Sequence, residues 1–257
     1  MIQTKGKILV NDNIAPEYYK MALKSPEIVK TAKPGQFVHI KVSESYDPLL
    51  RRPFSIHSIK NSDIVEILYR VVGKGTELLS EKKVGEELDI LGPLGNGFKI
   101  NNERKIVIIG GGAGIAPLFF LTQKAIASSN NIIVLIGAKT KRLILCEQEF
   151  KDLGVAVQIA TEDGSYGHKG LVTDLLNQFS SASISLFACG PSIMLREVAI
   201  FSHKHNLPCQ VSLESRMACG VGACLGCAIK VKGEVKTISK RVCSEGPVFA
   251  AKEIVFE

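Results

Sequence analysis

Four cysteines near the C-terminal end of the sequence constrain the fold more than any other feature. They follow the spacing C-x4-C-x2-C-x15-C and are Cys219, Cys224, Cys227 and Cys243. Four thiolates can hold one small metal centre. The x4 then x2 order is the plant-type [2Fe–2S] arrangement, whereas a zinc ribbon has two C-x2-C pairs. The spacing therefore predicts an iron–sulfur cluster, and the rest of the chain must supply or remove its electrons.

The residues between these cysteines agree with a cluster loop. Gly220, Gly222 and Gly226 allow turns that are closed to residues with a Cβ, and a tight loop points its N–H groups at the negatively charged sulfurs. A structural zinc and two disulfides are the alternatives. Seven cysteines, an odd number, and a start at Met1 without an apolar export segment favour a reducing cytoplasm, where disulfides are rare.

Composition excludes two classes of function. The 257 residues are 46% apolar and 22% charged, which is ordinary for a globular protein. The net charge of +7 comes from scattered lysines without tryptophan or aromatic–basic interleaving, so a nucleic-acid partner is not expected. The most apolar run, 106–121, is broken by four glycines and a proline. It is too short for a membrane span.

Residues 1–100 read as an antiparallel β-barrel. Val38, Ile40 and Val42 alternate with His39 and Lys41, which predicts a strand with one buried apolar face and one polar face. A second strand is expected over 64–72, and turn residues separate several short strands up to Gly97.

Two motifs in this barrel indicate a flavin-phosphate site. In the first, Arg51 and Arg52 precede a rigid proline and the Ser55 hydroxyl, a combination that can hold a phosphate and hydrogen-bond a heterocycle. In the second, a strand leads into a short helix expected over 76–80, with Thr76 as its N-cap and Gly75 leaving room for a phosphate. Each motif alone could be a surface turn or a capped helix; together they favour the flavin.

Residues 101–208 alternate between strand and helix, as in a parallel-sheet nucleotide domain. An apolar strand over 105–109 runs into a glycine-rich loop, 110–117, and a helix expected over 118–127. The loop departs from the dinucleotide fingerprint because Pro117 occupies the third-glycine position. The next strand also lacks a terminal acid that would bind a ribose hydroxyl. A standard Rossmann dehydrogenase is therefore disfavoured.

A later strand of this domain, over 185–188, ends at Cys189-Gly190-Pro191. Loops at the carboxyl ends of parallel strands are where a nucleotide lies, so Cys189 is either in contact with a nicotinamide or simply packed. Lys139, Lys141 and Arg142 could meet a 2′-phosphate or form a solvated loop. The choice between NAD and NADP stays open.

Residues 209–257 form the predicted cluster lobe. A hairpin of 229–232 and 235–238 around Gly233 would return the chain so that Cys243 meets the other three ligands. Cys146 and Cys209 lack ligand spacing and are expected to be structural.

These motifs together resemble the ferredoxin–NADP reductase superfamily. The resemblance rests on Arg52-Pro53-Phe54-Ser55, Gly75-Thr76, the loop 110–117 and Cys189-Gly190-Pro191, and it covers roughly the first 200 residues. The stretch 217–227 narrows the resemblance to the electron-transfer subunits of NAD-linked dihydroorotate dehydrogenases. That family implies an FAD-binding antiparallel barrel, a parallel-sheet pyridine-nucleotide domain and a C-terminal [2Fe–2S] lobe.

The resemblance also implies the site residues and the partner. The cofactor-binding positions would be Arg52, Pro53, Phe54, Ser55, Tyr69, Arg70, Val71, Gly75, Thr76, Gly111, Gly112, Ala113, Gly114, Cys189, Gly190 and Pro191. The four cysteines would hold the cluster. Dihydroorotate would be oxidised on the FMN of a separate catalytic subunit, with two copies of each chain in the complex. Electrons would pass through the cluster and FAD to NAD+.

Three other functions compete with this interpretation. The first is the small subunit of an NAD(P)H-dependent ferredoxin or sulfide oxidoreductase, in which the first cluster ligand is typically an aspartate. The cysteine at position 219 favours the dihydroorotate system. The others are a hydrogenase-associated diaphorase subunit and a non-catalytic module with a structural zinc.

Overall fold

The computed structural model describes residues 1–101, 105–129, 131–179 and 184–256. Its N-terminal part is a closed six-stranded antiparallel barrel in the order β1-β2-β5-β4-β3-β6, which confirms the predicted barrel. The strands are β1 Ile2–Ala15, β2 Tyr18–Lys24, β3 Phe37–Lys41, β4 Arg52–Lys60, β5 Ile64–Arg70 and β6 Glu87–Leu94. Two short helices accompany the barrel, α1 Pro26–Val29 and α2 Lys74–Ser80.

The outer face of β3 differs from the sequence prediction. Val38 and Ile40 fill the barrel interior as expected. His39, predicted on the polar face, is fully buried, and Phe37 on the same side is only 3% exposed. Alternation along one strand cannot show that another part of the chain will cover its polar face.

The second part is a seven-stranded sheet in the order β10-β9-β8-β7-β11-β12-β15. Its central parallel strands are almost wholly apolar, as expected where helices cover both faces. The strands are β7 Lys105–Gly111, β8 Ile132–Ala138, β9 Ala156–Thr161, β10 His168–Lys169, β11 Ile184–Cys189, β12 Cys209–Ser212 and β15 Val248–Ala250. The helices are α3 Ile115–Ala125, α4 Glu147–Asp152 and α5 Ser192–Lys204. No helix of the described ranges is long and apolar enough to cross a membrane.

The last fifty residues are joined to this sheet. Strand β12 pairs parallel with β11, and β15 pairs antiparallel with β12. Between them lie the cysteine loop and the predicted hairpin, formed by β13 Ala228–Lys232 and β14 Thr237–Arg241. The division of the chain at residues 100 and 208 stays a prediction.

One apolar core connects the three parts. Phe37 of the barrel, Val107 of the sheet and Val231 of the hairpin belong to the same buried cluster. Cys227 and Cys243 lie in it as well, each 2% exposed. The cysteine loop is therefore anchored to both other parts of the molecule.

A buried polar network also links the barrel to the sheet. His57 on β4 is fully buried, with Nδ1 3.0 Å from the carbonyl oxygen of Ala116 and Nε2 3.2 Å from Oε2 of Glu149. Lys20 on β2 forms an ion pair with the same carboxylate. Burial alone would raise the pKa of Glu149, but hydrogen bonds from His57 and Lys20 outweigh it and lower this pKa to about 2.

This network predicts a pH-dependent contribution to stability. A carboxyl whose pKa falls from about 4.3 in the unfolded chain to about 2 in the fold stabilises fully above the unfolded value. That stabilisation is lost as the pH falls from about 4.3 towards 2. Glu149→Gln should therefore lower the free energy of unfolding at pH 7 by about 1–2 kcal/mol, since the side chain is partly exposed.

Denaturant unfolding of the cofactor-loaded protein between pH 7 and pH 2 measures the difference. The matched control is Glu147→Gln on the same helix, which removes an ion pair with Lys151 worth about 0.3–0.5 kcal/mol and leaves an amide oxygen that can still accept from the Tyr166 hydroxyl. A difference between the wild type and Glu149→Gln that stayed constant down to pH 2 would contradict the assignment.

Candidate flavin, nucleotide and cluster sites

A cavity of about 930 Å³ lies between the barrel and the carboxyl ends of the parallel strands. Most of the predicted cofactor residues face it. They are Arg52, Pro53, Phe54, Ser55, Tyr69, Arg70, Thr76, Gly111, Gly112, Ala113, Gly114, Cys189, Gly190 and Pro191. Val71 and Gly75 are not part of the lining. The cavity has the volume and the two-sided lining that a dinucleotide cofactor and its redox partner require.

The two arginines of the first flavin motif have different surroundings. Arg51 pairs with Asp89 at 2.8 Å and donates to the Asp89 carbonyl oxygen at 3.0 Å, so it ties β4 to β6. Arg52 lines the cavity, and its Nη1 donates to the carbonyl oxygen of Leu50 at 2.6 Å. Arg52 is thus the arginine that can meet a phosphate.

Gly75 brings the second motif against Arg52. A Cβ at Gly75 would lie 2.6 Å from Nε of Arg52, so a larger residue there would displace the guanidinium from its place against the first turn of α2. The two motifs, separate in the sequence, therefore form one basic corner of the cavity.

The predicted role of Thr76 as the N-cap is wrong. Helix α2 begins at Lys74 with Gly73 at the N-cap, and Thr76 lies in its first turn. The Thr76 hydroxyl accepts hydrogen bonds from the N–H groups of Val72, at 2.9 Å, and Gly73, at 3.2 Å. It reaches back to fix the strand-to-helix turn. Thr76 was a plausible N-cap because it lies only three residues after the true one, Gly73. As the third residue of the helix, it uses its hydroxyl to accept hydrogen bonds from the backbone that precedes the helix.

Aromatic packing fixes the barrel side of the cavity. Tyr69 stacks on Tyr19 with ring centroids 5.6 Å apart and meets the edge of Phe54 at 5.5 Å. Its hydroxyl donates to Oδ1 of Asn11 at 2.9 Å. Arg70 pairs with Glu17 at 2.7 Å. These contacts hold a flat, largely apolar wall of the kind that a planar heterocycle covers.

The glycine-rich loop is shaped by its contact with β11. A Cβ at Gly114 would overlap the backbone of Cys189 and Gly190, so the loop passes directly over the end of that strand. Gly112 adopts a φ of +54°, which favours glycine. Helix α3 begins at Ile115, three residues earlier than predicted, and includes Pro117 in its first turn.

Two residues that sequence reasoning did not single out for this cavity are Glu214 and Tyr18, which both line it. Glu214 lines the cavity wall, and partial burial there raises the pKa of its carboxyl. Burial is also the main cause that raises the pKa of the Cys189 thiol. The negative charge of nearby Glu214 raises it further. The sequence signal for Glu214 was its place two residues after the end of a strand, β12.

The four predicted cluster ligands form two pairs. The N–H of Cys224 donates to Sγ of Cys219 at 3.4 Å, and the N–H of Cys243 donates to Sγ of Cys227 at 3.4 Å. Within the described ranges, no three of these sulfurs lie within 4.8 Å of one another. A tetrahedral zinc with Zn–S near 2.3 Å would draw all four to about 3.8 Å. Two pairs instead fit a two-iron cluster.

Backbone N–H groups surround these sulfurs. Gly222 donates to Sγ of Cys243 at 3.1 Å, and a φ of +85° allows this turn. The N–H of Val221 is the main cause that lowers the pKa of Cys219 to about 6. Burial raises the pKa of Cys243 to about 11, and its neighbour Cys227 adds to the effect. The loop therefore favours negative charge at the Cys219 end.

The histidine under this loop is His39. Burial lowers the pKa of His39 to about 4, so its ring is neutral at physiological pH. It lies against the loop at Gly220, where a Cβ would be 2.5 Å from Nδ1.

Comparison with known proteins agrees with these sites. Residues 214–255 match the family of iron–sulfur cluster binding domains of dihydroorotate dehydrogenase B, and residues 108–199 match the oxidoreductase NAD-binding domain. The electron transfer subunit of dihydroorotate dehydrogenase B (NAD(+)) from Desulforamulus reducens is 43% identical, over 98% of both chains. The subunit of the same name from Geobacillus kaustophilus is 42% identical, over 94% of both.

The chain belongs to the family of dihydroorotate dehydrogenase B electron-transfer subunits. The predicted family, the NAD-binding domain and the iron–sulfur lobe are thereby confirmed.

Solved structures place this electron-transfer subunit in the ferredoxin reductase fold. The structure of an NADH-dependent reduced ferredoxin-NADP oxidoreductase is 32% identical, with a TM-score of 0.87 over 98% of this chain and 90% of the other. A ferredoxin NADP+ reductase from Neisseria gonorrhoeae is 17% identical, with a TM-score of 0.69 over 79% of this chain and 91% of the other. At that identity the likeness concerns the fold alone.

The basic corner of the electron-transfer subunit yields a direct test. Arg52→Ala removes the cavity arginine and should weaken FAD binding by about 1.5–3 kcal/mol, the value of a charge-assisted contact. Gly75→Ala should weaken it too, because the added Cβ displaces the same guanidinium.

FAD retained after dialysis, measured by absorbance and fluorescence titration, gives the result. Arg196→Ala, an exposed arginine on α5, is the matched control and should bind FAD like the wild type. Circular dichroism checks that the variants are folded. Full FAD retention in a folded Arg52→Ala protein would remove this residue from the site.

Proposed function

We propose that this chain carries electrons from the FMN of a dihydroorotate dehydrogenase catalytic subunit to NAD+ in pyrimidine biosynthesis. The observation that carries the proposal is that one chain has a paired four-cysteine loop and a large two-sided cavity next to each other on the outer face of the same β3–β4 wall. Bound FAD would supply the exchange between hydride and single-electron chemistry, and a [2Fe–2S] cluster would supply single-electron transfer.

The FAD would be held by the barrel side of the cavity. Arg52 and the first turn of α2 would hold the phosphates, with Tyr69 and Phe54 against flat parts of the cofactor and Ser55 hydrogen-bonding it. Arg70, Val71, Gly75 and Thr76 complete the proposed set by shaping the strand-to-helix turn. The glycine-rich loop would receive the NAD phosphates, with Cys189, Gly190 and Pro191 beneath the nicotinamide.

Glu214 adds a carboxyl group to this proposed site. It lines the cavity near Cys189, and burial raises the pKa of its carboxyl. The apolar lining would exclude water from the same place.

The cluster would be held by Cys219, Cys224, Cys227 and Cys243, and its two ends differ in exposure. Cys227 and Cys243 are buried, whereas Cys224 is exposed. Val221 and Leu225, 41% and 63% exposed, flank Cys224 with apolar surface. We propose that the exposed surface at Cys224 faces the FMN-bearing partner, in a complex with two copies of each chain.

Two features support a cytoplasmic location for this complex. The cluster requires free thiolates, and all seven cysteines are unpaired in this structure, as expected in a reducing compartment.

The likeness to the NADH-dependent ferredoxin-NADP oxidoreductase keeps a ferredoxin-linked acceptor as the second candidate.

The first test of the proposal is the cofactor content. Anaerobically purified protein should contain about two iron atoms, two acid-labile sulfides and one FAD per chain. Iron, sulfide and flavin assays on the same sample measure these ratios. One zinc per chain without sulfide would contradict the proposal.

The second test separates the two subunits. The isolated chain should let NADH reduce ferricyanide but should show no dihydroorotate-dependent reduction of NAD+; adding the FMN-bearing partner should create that reaction. Cys224→Ser should abolish electron flow from dihydroorotate to NAD+ and leave NADH-to-dye transfer largely intact, because the two flavins would lose their intermediate carrier.

Cys209→Ser is the control, since Cys209 lacks ligand spacing and lies in β12. Both variants should retain FAD. Normal dihydroorotate-dependent NAD+ reduction by a Cys224→Ser complex that has lost its cluster would show that the cluster is not on the path.

A further inference from the structure

His39 is a buried histidine whose two ring nitrogens have no hydrogen-bond partner within the described residues. Its ring is fully buried, and neither Nδ1 nor Nε2 makes a hydrogen bond. An unsatisfied buried donor costs about 1–3 kcal/mol. Such a group in a well-packed fold therefore indicates an acceptor that the polypeptide alone does not supply.

The ring lies between the flavin cavity and the cluster loop. In the β3–β4 register, His39 is opposite Pro53 and Phe37 is opposite Ser55. Residues directly opposite in an antiparallel pair share one face of the sheet, and Phe37, Pro53 and Ser55 line the cavity. His39 is thus the next position along the same outer wall.

The other side of the ring meets the loop at its first ligand. A Cβ at Gly220 would lie 2.5 Å from Nδ1 of His39, and Gly220 has a φ of +71°. The backbone carbonyl groups of Arg51 and Cys219 are near enough to raise the pKa of the ring. Neither carbonyl oxygen meets the distance and angle of a hydrogen bond to a ring nitrogen. Glycine at position 220 is what lets the imidazole approach the loop so closely.

The surroundings of the ring indicate which kind of atom can accept its hydrogen bond. A neutral imidazole has one N–H to donate, and Nδ1 points to the part of the loop where backbone N–H groups already gather around Sγ of Cys219. Cluster sulfurs carry negative charge and accept such hydrogen bonds.

We propose that Nδ1–H of His39 donates a hydrogen bond to the [2Fe–2S] centre at its Cys219 end, and so fixes the centre against the wall of the flavin cavity. This inference rests on the cysteine ligation proposed above. His39 is a positioning residue. It lies against the cysteine loop at Gly220, while Pro53, opposite it on the neighbouring strand, lines the cavity proposed for the flavin.

A donor at this position has a measurable electronic effect. Hydrogen bonds to cluster sulfurs stabilise the reduced centre, which carries one more negative charge, and thereby raise its reduction potential. Removal of the donor should shift the potential to more negative values. A side chain that fills the same space without an N–H donor should not restore the wild-type reduction potential.

Three variants separate hydrogen bonding from packing. His39→Leu removes the donor but keeps an apolar side chain, and His39→Asn keeps an amide N–H near the position of Nδ1. His203→Leu, an exposed histidine on α5, is the control. Iron, sulfide and FAD are assayed first, and only samples that contain a full cluster enter the comparison.

The first readout is the midpoint potential of the cluster, from a redox titration followed by electron paramagnetic resonance. We expect a negative shift in His39→Leu, a smaller shift or none in His39→Asn, and the wild-type value in His203→Leu. Equal potentials in wild type and His39→Leu would overturn the proposal. Equal shifts in the Leu and Asn variants would overturn it too, because they would indicate packing alone.

The second readout detects the contact itself. In protein labelled with 15N-histidine, the reduced cluster should show a weak 15N coupling in electron spin-echo envelope modulation spectra. The coupling should be absent in His39→Leu and present in His203→Leu. A full cluster without histidine coupling in the wild type would refute the role of His39 and leave the ligation by cysteine intact. A wild-type protein without iron and sulfide would instead refute the ligation itself, and the proposal with it.

Discussion

The arrangement of the whole subunit depends on the burial of Cys227 and Cys243 in an apolar core that all three parts of the chain share. The two cysteines belong to the same buried cluster as Phe37 from the barrel and Val107 from the sheet. Apolar burial is non-directional and strong, at about 25 cal/mol per Å², so this core sets the position of the cysteine loop before any metal contributes. One end of the loop is thereby fixed in the interior, and the other, at Cys224, stays at the surface.

The same packing places the cavity and the cysteine loop side by side on one face of the barrel wall. Strands β3 and β4 carry cavity residues at Phe37, Pro53 and Ser55, and the cysteine loop covers the next position of that face at His39. In the proposed function, a short path between a flavin and a cluster would follow from this strand register instead of from a flexible linker. The glycines at 114 and 220 are required because backbone or an imidazole approaches them too closely for a Cβ.

Local sequence patterns predicted what local geometry determines. Cysteine spacing indicated the cluster loop, and the short motifs at Arg52 and Gly112 indicated cavity positions, because each encodes a turn or a set of donors within a few residues. The role of Thr76 was wrong since a helix start can shift by two residues without changing the composition. The burial of His39, the position of Glu214 and the addition of β12 and β15 to the sheet depend on contacts between distant segments, which no single stretch of sequence encodes.

The central claim is that this chain alone connects the nucleotide cavity to the cluster. The most direct measurement mixes the anaerobic isolated chain with NADH, freezes the sample at intervals and records visible and electron paramagnetic resonance spectra. The account predicts loss of flavin absorbance together with the signal of a reduced [2Fe–2S] cluster, without any partner subunit. Flavin bleaching with a cluster that stays oxidised, although dithionite reduces it, would contradict the account.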